Sequence, residues 1–171
     1  MRIENISTEF FYYDVPNAET HKNNLLELIN LIPNNPYEGI SHTDWNLPKQ
    51  FERKYLDYFY NNILSPMMEE QRKYYNCQRW TVERCWFQQY GNKSEHLWHN
   101  HPLTNFANVY FLELPEENLK TTLKVGEKEY EYDVKEGQII TFPASIRHCS
   151  KSNNTNNRKT VISFNSDFFD R

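Results

Sequence analysis

Three of the chain's six histidines fall within the run HLWHNH, as His96, His99 and His101. His99 and His101 are two residues apart. In an extended strand alternate side chains share a face, so one metal ion can accept both imidazoles. His148 is the best candidate for a third ligand. It follows the apolar stretch QIITF (138–142) and a proline turn. Imidazole serves iron, zinc, copper and nickel alike, so the donor set does not choose the metal. Three protein ligands on an octahedral ion leave three positions open. Histidines also gather by chance on wet loops, and Pro102 interrupts the extended chain. On spacing alone a metal site and a solvated loop both stand. His96 precedes His99 by three residues, and strict alternation places it off the ligand face. It is then either a pocket-rim residue supporting the ligands or a solvated loop histidine.

Arg158 follows His148 by ten positions and opens the last apolar run. A barrel-facing arginine needs an anion, and a carboxylate fits its fork. Thr160, two residues on, shares its face and can donate a hydroxyl to the same carboxylate. The competing reading of Arg158 is a surface arginine at a strand start. The segment 34–48 (NNPYEGISHTDWNLP) has loop composition yet contains His42, Asp44 and Trp45. Trp45 either borders a binding site or packs against a helix.

These residues need elements to hold them. Residues 5–15 (NISTEFFYYDV) form an aromatic, partly alternating strand ended by Pro16. From Thr20, a candidate cap, Leu25, Leu28 and Ile32 share a helical face with Ile29 beside them, until Pro33 stops the helix. Phe51, Tyr55, Phe59 and Ile63 mark a second helix starting near Lys49. Pro66 is expected to separate it from a shorter one over about 66–75. β-Structure follows. RWTVERCWFQQY (79–90) places Trp80, Val82, Arg84, Trp86, Gln88 and Tyr90 on one face. NFANVYFLEL (105–114) is the strongest strand signal. LKTTLKV and EKEYEYDV flank Gly126 as a hairpin. QIITF and RKTVISF (158–164) are the last strands. Helices first and short strands afterwards predict a mainly β fold with supporting helices, an antiparallel sandwich or barrel.

The bulk properties set outer bounds. At 171 residues the chain suits one domain with a sizeable core. With 16% aromatic residues it should fold, and a net charge of -4 gives no general pull toward nucleic acid. The beginning MRIENISTEF lacks an apolar leader, and no stretch approaches a membrane span. Cys77, Cys85 and Cys149 are odd in number and irregularly spaced, which fits no disulfide or zinc framework. A reducing, cytoplasmic location is expected.

Residues 79–168 resemble the iron(II)- and 2-oxoglutarate-dependent oxygenase superfamily, and most closely its small members from phages and marine bacteria. The resemblance rests on WFQQY (86–90), HLWHNHP (96–102), NVYFLELP (108–115), EGQIITFPASIRH (136–148) and RKTVISFN (158–165), in that order. It implies one domain over 1–171. A double-stranded β-helix core (a jelly roll, cupin-like) would span 79–168, with residues 1–75 as helical support and a possible substrate cover. It implies iron ligands at His99, His101 and His148. His101 stands where the superfamily usually has Asp or Glu, a departure that can alter metal preference. It further implies that Arg158 and Thr160 hold the far carboxylate of 2-oxoglutarate, with Tyr90 reaching the same co-substrate. Iron, 2-oxoglutarate and O2 would then hydroxylate a small molecule or peptide side chain, releasing succinate and carbon dioxide. His42, Asp44, Trp45 and His96 are the candidate substrate-side residues.

Two other accounts remain at this point. A cupin-like metal protein that does not use 2-oxoglutarate has a similar histidine set, although 102–112 lacks the acidic ligand usual there. A non-enzymatic β-sandwich binding module predicts no cooperative metal binding at all.

Overall fold

The computed structural model describes residues 8–170. Residues 5–7 of the expected first strand lie outside them. The elements are β1 (Phe11–Asp14), α1 (Ala18–Ile29), β2 (His42–Thr43), α2 (Lys54–Phe59), α3 (Ser65–Tyr75), β3 (Arg79–Tyr90), β4 (His96–His99), β5 (Phe106–Glu113), β6 (Thr121–Val125), β7 (Lys128–Glu131), β8 (Gln138–Pro143), β9 (Arg147–Ser150) and β10 (Lys159–Phe169). A six-stranded sheet has the order β1-β8-β5-β10-β3-β2, and a four-stranded sheet the order β4-β9-β6-β7. Every pairing is antiparallel. The two sheets form the expected jelly roll.

The larger sheet is apolar on both faces, because each face meets a different layer. Phe87, Tyr110, Leu112, Ile139, Ile162 and Phe164 pack against Leu25, Ile29, Tyr55, Phe59, Ile63 and Met67 of the helices. Their strand neighbours Tyr90, Val109, Phe111, Ile140, Phe142 and Val161 face the interior with Leu123 of the smaller sheet. Period-two alternation thus sorts each strand between helix support and barrel interior.

Three local expectations need correction. Thr20 does not cap α1. The helix begins at Ala18 after Asn17, whose φ of 53° breaks the preceding chain, and it ends at Ile29, ahead of Pro33. The second helix starts at Lys54, not near Lys49. Pro66 does not separate two helices. A wide π-turn at Tyr60–Leu64 joins α2 to α3, and Pro66 sits in the first turn of α3. Proline removes one N–H and crowds the carbonyl four residues earlier, here Asn62. A wide turn at that point accommodates both without a break. The hairpin is as expected: Val125 pairs with Lys128 around Gly126, at φ 60°.

Candidate metal and co-substrate site

The smaller sheet supplies two of the three ligands. His99 on β4 and His148 on β9 are direct cross-strand partners. Their ring centres are 4.2 Å apart. His101 lies two residues beyond β4, where its backbone N–H donates to Ala144 O over 3.0 Å. That bond anchors the chain just before Pro102, and the His101 Nε2 stands 3.1 Å from His148 Nε2. One ligand atom from each of the three imidazoles lies within 4.8 Å of the others. From the larger sheet, Trp86 stacks on His101 at 5.7 Å.

The tautomers are set from behind. Nδ1 of His99 is 2.7 Å from Leu97 O, and Nδ1 of His148 is 3.0 Å from Ile146 O. A carbonyl only accepts, so each Nδ1 carries the proton and each Nε2 keeps its lone pair for a metal. Burial pushes the His148 pKa down to about 3 and that of His101 to about 4, the latter opposed in part by the Asn165 side chain. His99 is shifted the same way by burial. The three rings are therefore neutral ligands at ordinary pH.

His96 is not off this face. The β4–β9 register passes from His96↔Ser150 to His99↔His148, three steps on one strand against two on the other. The extra residue is a bulge, and it turns His96 inward beside His99, ring centres 4.0 Å apart. Its Nδ1 is 3.2 Å from Gln88 Nε2. It lines the cavity with the three ligands.

Arg158 and Thr160 are not in the cavity. Strand β10 turns Lys159, Val161, Ser163 and Asn165 inward, and so turns Arg158 and Thr160 outward. Arg158 donates to both Glu113 oxygens, Nε to Oε2 at 2.8 Å and Nη2 to Oε1 at 3.0 Å. The Thr160 hydroxyl donates to the same carboxylate. The expected arginine clamp is thus an ion pair on the outer face. The residue that β10 turns into the chamber at this point is its neighbour, Lys159. It is 1% exposed, and its Nζ donates to Ser150 Oγ over 2.9 Å. Nζ stands 5.0 Å from the Tyr90 ring centre. Among the described residues no carboxylate pairs with it, and burial pulls its pKa down to about 7. Tyr90 also lines the chamber. The signal for Lys159 was present in RKTVISF, where its inward neighbours are Val161 and Ser163.

The 34–48 loop divides. His42 packs edge-on against Phe87, on the helix side of the sheet, and its Nδ1 accepts from Asn35 N. Asp44 is 2% exposed and accepts from Arg53 Nε (2.8 Å), the Tyr55 hydroxyl (2.8 Å) and Phe87 N (3.0 Å). Neither reaches the cavity; both fasten the loop to the fold. Trp45 lies edge-on to Trp86 at 4.6 Å and lines an outer cleft of about 350 Å³ that opens onto His96, His99 and His101.

No family model matches the sequence, and no curated protein matches it. Solved structures do. An oxidoreductase of the 2OG-Fe(II) oxygenase family from Burkholderia pseudomallei superposes with a TM-score of 0.71 at 13% identity, over 92% of this chain and 83% of that one. The viral collagen prolyl hydroxylase of Paramecium bursaria Chlorella virus-1 gives 0.64 at 13% identity, over 99% and 98%. HygX from Streptomyces hygroscopicus, solved with nickel and 2-oxoglutarate bound, gives 0.62 at 11% identity, over 92% and 81%. The chain has the fold of the 2OG-Fe(II) oxygenase structures.

Proposed function

We propose that the chain is an iron(II)- and 2-oxoglutarate-dependent oxygenase that hydroxylates a small molecule or a peptide side chain. Lys159 carries this reading. A buried cation without a counter-ion is costly unless an anion arrives to pair with it. This one sits in the chamber that the three histidines close. A dicarboxylate that reaches the metal at one end and Lys159 at the other satisfies both.

The donor set fits a divalent metal. Three neutral imidazoles converge, and in His99 and His148 a backbone carbonyl takes the Nδ1 proton and leaves the Nε2 lone pair for a metal. His99, His101 and His148 would hold the iron, and Lys159 with Ser150 and Tyr90 would hold the far carboxylate of 2-oxoglutarate. When bound, iron, 2-oxoglutarate and O2 supply oxidative decarboxylation to succinate and hydroxylation of an unactivated carbon. The protein's part is positional. Trp86 stacks on His101 and limits the plane of its ring. Phe142 packs edge-on against His148 at 5.0 Å and keeps water from its back. The outer cleft admits a substrate beside the metal.

A metal-binding jelly roll that does not use 2-oxoglutarate accounts for the histidines equally well. It gives no reason for an unpaired lysine in the chamber. The deciding experiment incubates the iron-loaded protein with 2-oxoglutarate and a metabolite library, with and without oxygen. Oxygen-dependent succinate, increased by a candidate substrate, supports the oxygenase. A fully loaded protein that leaves 2-oxoglutarate intact across the library contradicts it.

A further inference from the structure

The inward face of β3 reads, from the chamber outward, Tyr90, Gln88, Trp86 and Arg84. Tyr90 lies under Lys159, Gln88 meets His96, and Trp86 stacks on His101. Arg84 ends the series at the cleft mouth. Its guanidinium lies 3.3 Å from the Trp45 ring centre, and Nη2 is 3.4 Å from Trp45 O. A guanidinium held over an indole keeps N–H donors for another partner, and Arg84 lines the cleft. Among the described residues no carboxylate pairs with it. Glu38, in the same cleft, forms no ion pair with it. Trp45 and Trp86 supply an apolar wall between this cation and the histidines.

We propose that the cleft binds a small-molecule carboxylate, with its anionic end on Arg84 and an apolar or aromatic body against Trp45 and Trp86. A space of about 350 Å³ suits a small organic molecule. Arg84 is the single Arg or Lys among the cleft residues, and Glu38 adds a negative charge nearby. One singly charged carboxylate suits that balance better than a doubly charged phosphate, and its two oxygens match the guanidinium fork. The strand also acts as a ruler. Arg84 lies two residues from Trp86 and four from Gln88, so the anion sits roughly 7–13 Å along β3 from the residues that meet the histidines. Resting on the oxygenase reading, the carbon oxidised is therefore several bonds from the carboxylate, not adjacent to it.

The test reads binding, independent of turnover. Isotope-labelled protein loaded with zinc and 2-oxoglutarate is titrated with phenylbutyrate, phenylbutanol and phenylbutylamine while the indole N–H resonances of Trp45 and Trp86 are followed. Phenylbutyrate should shift both saturably, and phenylbutanol should bind about tenfold or more weakly, the expected loss of a charged hydrogen-bonded partner. Arg84→Gln should erase the difference, and Arg84→Lys should keep part of it. Equal binding of acid, alcohol and amine overturns the proposal, as does an undiminished preference for the acid in folded Arg84→Gln. Should that variant unfold, the three probes on the parent protein decide alone. Zinc and 2-oxoglutarate binding are measured first in the same sample. Their failure alongside a selective phenylbutyrate response contradicts the oxygenase reading and leaves the carboxylate site standing. Their success with no selective response does the reverse.

Discussion

Lys159 Nζ donates to Ser150 Oγ across 2.9 Å, joining the first residue of β10 to the last of β9 inside the chamber. This is the lysine's one polar contact among the described residues. Its pKa of about 7 follows from burial. An arriving carboxylate restores the charged form, so anion binding above pH 7 takes up a proton. Affinity for 2-oxoglutarate should fall as pH rises from 7 toward 9. Calorimetry in buffers of different ionisation enthalpy should show proton uptake that Lys159→Met abolishes. A pH-independent affinity with no proton uptake contradicts this assignment.

The same shift acts on the stability of the ligand-free protein. The folded-state pKa lies below that of an unfolded lysine near 10.5, so between those values the unfolded chain binds more protons. Lys159 should make the free protein more stable as pH rises from about 7 to about 10. Denaturant midpoints should show that slope in the parent protein and lose it in Lys159→Met.

Asp44 should matter to stability. Asp44→Ala removes the acceptor for Arg53, Tyr55 and Phe87 N and leaves a mostly buried guanidinium, 13% exposed, without its counter-charge. The expected cost is about 3–5 kcal/mol. Urea unfolding should show a lower midpoint with an unchanged slope. A loss below about 1 kcal/mol means that water replaces these bonds freely.

The four clustered histidines should separate by role. His148→Ala should weaken iron(II) or manganese(II) binding by at least an order of magnitude. His96→Gln keeps a polar group beside Gln88 and should leave metal affinity within a few-fold of the parent. Anaerobic metal titration distinguishes the two. Comparable losses would make His96 a fourth ligand.

Much of this was legible in the sequence, for identifiable reasons. The His99–His101 pair was readable because alternation needs only a short stretch of extended chain. His148 was readable from its place after QIITF. β3 was readable as a strand because its aromatic and β-branched residues have no helical period, but its expected single face was not kept. A bulge at Glu83 turns Trp80 and Val82 to the helix side, away from Arg84, Trp86, Gln88 and Tyr90. Three features were hidden. The bulge that turns His96 inward is a one-residue slip set by the β4–β9 pairing, and nothing local to HLWH encodes it. The choice between Arg158 and Lys159 is a phase, and a strand one residue out of phase exchanges every inward and outward side chain. Arg158 is the better carboxylate fork by chemistry, but Glu113, the β5 partner of Thr160, takes that fork away from the chamber. Finally, Asp44 and His42 have the residue types of a site, and only the depth of the loop shows that they hold structure.

The central claim is that Lys159, with the three histidines, receives 2-oxoglutarate. The most direct measurement is an oxygen-free titration of 2-oxoglutarate into iron-loaded parent, Lys159→Met and Arg158→Gln proteins, with metal content confirmed in each. The account predicts saturable binding in the parent, a loss of about tenfold or more in Lys159→Met and little change in Arg158→Gln. Undiminished binding in Lys159→Met, or no binding by the iron-loaded parent, would contradict it.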